Sequence, residues 1–209
     1  TKINLINKIE FDIDEIGIPI PFKWGKCKLA TTSFGHGITT TPLQLAKGYA
    51  IVTNGGYDVN PTIIREKSEK LIKYKKRIIK ENVSKKINPI LRKIVTSKEG
   101  TANLADVKGY EIGGKTGTAE KIVSGTYSNQ KKINTFASVF PISNPKFVLV
   151  VILDEPQINA DYIYNYRDGS NFKLKGSPRN TSGWTTVEAT GHIVEKIGPI
   201  LATKYIEIN

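Results

Sequence analysis

At 209 residues, with a formal net charge of +12, 39% apolar and 24% charged residues, the chain has the composition of a soluble globular domain, which excludes a disordered polymer. Its longest apolar run, residues 147–153, is far shorter than the roughly 20 residues that cross a bilayer, and no signal peptide opens it. A single cysteine, Cys27, excludes an internal disulfide, and with only His36 and His192 beside it no metal or other cofactor is expected.

The chain begins at Thr1 and holds no methionine, and so reads as a piece of something longer. Residues 1–30, broken by Pro19 and Pro21, read as loop with a short strand or turn. A helix is predicted from Pro42, capped by Thr40 or Thr41, with Leu43, Leu45, Ala46, Tyr49, Ala50 and Val52 as its apolar face. Asn54-Gly55-Gly56 stops it. Residues 61–66 against 77–80 read as a hairpin, within a basic stretch at 67–86 that resembles a solvated loop. No nucleic-acid motif accompanies that charge, so nucleic acid is not expected as a partner.

A second helix is predicted over 84–97, on Ile87, Ile90, Leu91, Ile94 and Val95, with Pro89 delaying its regular part and Gly100 ending it. Three strands follow at 111–123, 134–140 and 146–153, and their short connections favour antiparallel pairing. A polar, aromatic loop spans 157–182, and a last helix runs from about 183 to 201 on Val187, Ile193, Val194 and Ile197. The whole of 1–209 is expected to be one α+β unit, an antiparallel sheet flanked by helices.

Gly113-Gly114-Lys115-Thr116-Gly117-Thr118-Ala119 carries the most chemistry. A lysine among glycines and hydroxyls on a strand offers positive charge, donors and close backbone approach, which suits a carboxylate or an oxyanion. Residues 109–116 also fit the phosphate-loop pattern G-x-x-x-x-G-K-T. That loop needs a helix directly after the lysine, and here the chain continues as strand.

Ser33-Phe34-Gly35-His36-Gly37, Thr41-Pro42-Leu43-Gln44-Leu45-Ala46, Asn54-Gly55-Gly56, Glu99-Gly100-Thr101-Ala102 and Gly114-Lys115-Thr116-Gly117-Thr118-Ala119 follow one another in an order and spacing that resemble penicillin-binding proteins. The Ser-Phe-Gly-x-Gly form and the region 164–184 look closest to the class B, septum-forming type. The resemblance covers most of the chain and implies the C-terminal part of a D,D-transpeptidase domain. That family's S-x-x-K and S-x-N motifs would lie upstream. The S-x-x-K tetrads at Ser128, Ser143 and Ser170 sit after the Lys-Thr-Gly strand in turns or loops, so the nucleophile is read as absent and the chain alone as inactive.

The resemblance also implies roles. Lys115 would place positive charge beside the site for carboxylate binding and proton traffic. Thr116 and Thr118 would bind the substrate carboxylate, the Thr118 amide would serve as an oxyanion donor, and Gly117 would let substrate lie along the strand. His36 would border the cleft or simply occupy a turn. Implied partners are peptidoglycan stem peptides ending in D-Ala-D-Ala, β-lactams and division-complex membrane proteins, with the domain periplasmic and the intact protein anchored in the inner membrane. A β-lactamase or penicillin-sensing receptor, or a basic binding module using residues 67–86, stay open as alternatives. His192 reads as structural, and Asp154-Glu155 as too divergent in direction for paired acid/base work.

Overall fold

Thr41 begins the first long helix. Its hydroxyl accepts from the Gln44 amide at 3.1 Å, and the Gln44 side-chain oxygen accepts from the Thr41 amide at 3.1 Å, a reciprocal capping box. In the computed structural model, which describes residues 25, 27–33, 35, 40–59, 61, 76–124, 126–176 and 179–205, a short α1 (Lys28–Thr32) precedes this α2 (Pro42–Thr53). The most buried positions of α2 are Gln44, Lys47, Ile51 and Thr53 rather than the predicted apolar row. Each polar one has a partner: Gln44 caps, Lys47 pairs with Asp58 at 3.3 Å, and Thr53 donates to the Tyr49 carbonyl at 2.8 Å. Thr41→Ala removes the cap and is expected to lower stability by about 1 kcal/mol, read from denaturant unfolding of the whole protein.

Helix α3 (Glu81–Thr96) starts three residues before its predicted position and runs unbroken through Pro89. Pro89 and Lys85 are both exposed, so water can take the Lys85 carbonyl that the missing amide leaves unbonded. One residue earlier, Asn88 donates to the carbonyls of Thr53 (3.1 Å) and Ile142 (3.3 Å) and holds that turn against its neighbours. Of the predicted hairpin, residues 62–66 lie outside the described residues; of its other arm, Arg77 forms an isolated antiparallel bridge with Tyr57.

Strands β1 (Gly113–Val123), β2 (Thr126–Phe140) and β3 (Phe147–Asp154) form an antiparallel sheet in that order. Alternation along β2 sorts the two cores. Phe136 and Phe140 pack with Val187 and Val194 of α4 (Thr186–Tyr205), whereas Val139 packs with Leu91 of α3 and Tyr49 of α2. The sheet is thus covered by α4 on one face and by α2 and α3 on the other, as the α+β expectation required. Strand β2 begins eight residues earlier than predicted, because it and β1 continue as a two-stranded ribbon past the end of β3. The predicted 157–182 loop contains two three-residue strands, β4 (Ile163–Asn165) and β5 (Lys173–Lys175), paired antiparallel.

Arg167, just after β4, is a buried hub. Its guanidinium bonds Glu188 twice, at 2.7 and 3.0 Å, Glu195 at 2.8 Å, and the carbonyls of Leu104 (2.8 Å) and Asn165 (3.1 Å). Burial draws the guanidinium down, and the bonds to Glu188 and Glu195 more than offset that, leaving it above its ordinary value. Tyr162 donates to Glu188 at 3.1 Å and is pushed up to about 12 by burial and by that carboxylate. His192 completes the group at 3.1 Å from Glu188.

Candidate active site

Lys115, Thr116, Gly117 and Thr118 lie in the middle of β1, opposite Ala137, Phe136, Thr135 and Asn134 of β2. Among the described residues β1 pairs only with β2, so no strand covers its other edge, which an added strand could extend. The lysine continues a strand and opens no helix, which disposes of the phosphate-loop pattern.

The glycines of this stretch differ in what requires them. A Cβ on Gly114 would lie 2.5 Å from the Ala137 carbonyl oxygen and 2.8 Å from the Phe136 ring, so the close strand pairing over Phe136 needs a glycine. Among the described residues, a Cβ on Gly117 would meet nothing nearer than 3.9 Å. Packing among the described residues does not require that glycine, and they leave the space beside it open.

A cavity of about 430 Å³ lies beside the strand, within the size range of small-ligand sites. Thr116 and Thr118 line it together with Thr101, Ser182, Tyr166 and Trp184. Thr101 is brought in by Asn103, whose side-chain amide donates to the carbonyls of Val95 (2.8 Å) and Ser97 (2.6 Å) and so ties the following turn to the end of α3. Thr101 and Thr116 hydroxyls stand 3.0 Å apart.

Ser182 opens a 3-10 turn, Ser182–Trp184, and stitches it to β1. Its hydroxyl donates to the Gly117 carbonyl, lies 3.0 Å from the Thr118 hydroxyl, and accepts from the Thr135 amide at 3.2 Å. Its amide donates to the Thr118 hydroxyl at 3.1 Å. A Cβ on Gly183 would sit 2.7 Å from the Thr101 carbonyl oxygen, so this glycine lets the turn close over the cavity. Trp184 meets Tyr164 edge-on at 5.1 Å, an aromatic wall anchored in β4.

Lys115 is exposed and does not line this cavity. Its ammonium donates to the Thr116 carbonyl at 2.8 Å, as befits a residue whose side chain leaves the strand opposite to Thr116 and Thr118. His36 lies outside the described residues. Ser128 falls in β2, Ser143 in a turn where it bonds Glu111, and Ser170 in a bend, so none of the three tetrads opens a buried helix. Asp154 and Glu155 do converge, because Glu155 lies beyond β3 at a positive φ of 49°. Both carboxylates grip Lys121, at 3.0 and 2.8 Å, an exposed clamp rather than an acid/base pair.

Sequence reading placed Thr101 inside a motif and Trp184 inside a region of resemblance but gave neither a role, and Ser182 carried no signal of its own. A model of the penicillin-binding protein transpeptidase domain matches residues 3–171. The probable peptidoglycan D,D-transpeptidase FtsI of Caulobacter vibrioides is 32% identical over 98% of this chain and 33% of its own length. Stage V sporulation protein D of Bacillus subtilis is 35% identical over 71% of this chain and 24% of its own. Among solved structures, the apo transpeptidase domain of Burkholderia pseudomallei penicillin-binding protein 3 superposes with a TM-score of 0.72 at 26% identity, covering 97% of this chain and 54% of that one. The chain thus spans about a third of the first of these curated relatives and a quarter of the second. With a family model matched over most of its length and an identity above 30% across nearly all of it, the chain belongs to the penicillin-binding protein transpeptidases.

Proposed function

We propose that the protein is a serine D,D-transpeptidase of peptidoglycan and that this chain supplies the Lys-Thr-Gly side of its site. The observation that carries this is the pairing of an open β1 edge with a hydroxyl-lined cavity at Thr116 and Thr118, in a chain of this family. A serine supplied from outside this chain attacks the carbonyl between two terminal D-alanines of a stem peptide. The peptide C–N bond breaks, D-alanine leaves with the proton, and the acyl group is held as an ester. An amine from a neighbouring stem then attacks the ester, the new peptide bond forms, and the serine regains its proton.

In this scheme the donor strand lies along β1, where Gly117 leaves room, in the manner of an added sheet edge. The Thr118 amide donates to the oxyanion, Thr116 and Thr118 face the terminal carboxylate, and Lys115 provides positive charge for proton traffic. β-Lactams acylate the same serine as mimics of the D-Ala-D-Ala terminus. The setting proposed is a periplasmic domain of a protein anchored in the inner membrane and working with division-complex membrane proteins. Among the described residues no helix is long and apolar enough to cross a membrane.

The test is acylation by a fluorescent penicillin. The whole protein is expected to be labelled and this chain alone is not, and Lys115→Ala in the whole protein slows labelling by about 100-fold or more, the scale of a lost proton-transfer group. A folded whole protein that takes no label overturns the assignment. Labelling of the chain alone returns Ser128, Ser143 or Ser170 as nucleophile.

A further inference from the structure

The hydroxyls around the Lys-Thr-Gly strand spend most of their protons on one another. Ser182 gives its proton to the Gly117 carbonyl, so the contact at 3.0 Å between Ser182 and Thr118 uses the proton of Thr118. Thr118 also accepts from the Ser182 amide. Thr101 and Thr116 share one proton across 3.0 Å and leave one over. A carboxylate presents about four acceptor sites, so this cluster is poor in donors for the anion it faces. Lys115 is turned to the Thr116 carbonyl and does not line the cavity.

Among the described residues, the one charged side chain that lines the cavity is Arg179. It also lines two neighbouring cavities, of about 290 and 610 Å³, and so stands where the three meet. The backbone that carries it is pinned. Asn180 donates to the Pro156 carbonyl at 2.7 Å and accepts from buried Asn134 at 2.8 Å, and the Arg179 carbonyl accepts from the Thr181 amide at 3.0 Å. Asn134 is the β2 residue directly opposite Thr118, so one buried side chain sets the distance between the strand and the arginine.

We infer that Arg179 is a specificity-determining residue, its guanidinium supplying the positive charge that binds the carboxylate of the acyl donor beside Thr116 and Thr118. The inference rests on the transpeptidase reading above and adds to it the source of the counter-charge. A guanidinium offers paired donors in the plane a carboxylate needs. Either a stem peptide ending in D-Ala-D-Ala or a β-lactam presents that carboxylate.

The experiment measures second-order acylation of the whole protein by benzylpenicillin and by its uncharged methyl ester. Arg179→Gln is expected to slow the acid by about 10- to 100-fold, the scale of a lost charged hydrogen bond, and to leave the ester within about 2-fold of wild type. Arg179→Lys should recover part of the loss. A peptide ending in D-Ala-D-Ala, as acid or as amide, is run as a competitor of labelling to separate the two sources. The acid should compete better than the amide in wild type and lose that advantage in Arg179→Gln. Equal slowing of acid and ester, no slowing of either, or an undiminished advantage of the peptide acid overturns the inference while leaving the transpeptidase reading standing. A wild-type protein that reacts with neither penicillin overturns that reading itself, and the role of Arg179 with it.

Discussion

Gly114→Ala is expected to destabilise the whole protein by about 3 kcal/mol, the upper end for an overpacked core, whereas Gly117→Ala leaves the melting temperature nearly unchanged and slows penicillin acylation by about 100-fold. The contrast comes from what each new methyl group meets. At Gly114 it collides with the Ala137 carbonyl and the Phe136 ring, and a backbone oxygen inside a paired strand cannot step aside. At Gly117 it meets nothing among the described residues nearer than 3.9 Å, so folding should tolerate it, but it projects into the space where substrate is proposed to lie. A displacement of about 1 Å at a reacting centre costs on the order of 100-fold. Thermal melting and acylation of both variants check this, and equal loss of stability in the two would show that Gly117 is a packing residue after all.

Arg167→Met is the second large expected effect. The substitution keeps the apolar stem but removes every donor that Glu188 receives from Arg167, leaving a carboxylate at 6% side-chain exposure with, among the described residues, Tyr162 and His192 as its remaining polar side-chain neighbours. Removing one partner of such a buried pair costs about 3–5 kcal/mol. It also frees the Leu104 and Asn165 carbonyls and unties α4 from β4. The double variant Arg167→Met, Glu188→Leu removes both charges and should be more stable than the single one by at least about 1 kcal/mol, a coupling of ordinary size for contacting residues. Denaturant unfolding of wild type, both single variants and the double variant measures it. A loss within about 0.5 kcal/mol for Arg167→Met, typical of surface positions, would refute the hub.

Much of this is legible in the sequence. Helix α2 announces itself through local chemistry, Thr41 and Pro42 at one end and Asn54-Gly55-Gly56 at the other, and local chemistry survives folding. The Lys-Thr-Gly strand was legible for the same reason, since its small and β-forming residues leave few other choices. What escaped depends on distance along the chain. Thr101 and Ser182 reach the Lys-Thr-Gly strand from 15 and 64 residues away, respectively, and only the packed fold brings them there. Strands β4 and β5 have three residues each, too short for a periodicity to register. The buried face of α2 was misjudged because Gln44 and Lys47 are buried by having partners, which a hydropathy pattern does not record.

The ladder between β1 and β2 changes step at one place. Glu120 pairs with Lys132, and the next residue, Lys121, pairs with Ser128, so residues 129–131 of β2 have no partner across the ladder. Within that excursion the Lys131 amide closes on the Ser128 hydroxyl at 3.1 Å, and Lys121 is clamped to Asp154 and Glu155 at its edge. The excursion therefore acts as slack in the chain. Residues inserted or removed there should be absorbed before the pairing of Thr118 with Asn134 slips, so the length of the ribbon's tip is uncoupled from the alignment of the Lys-Thr-Gly strand.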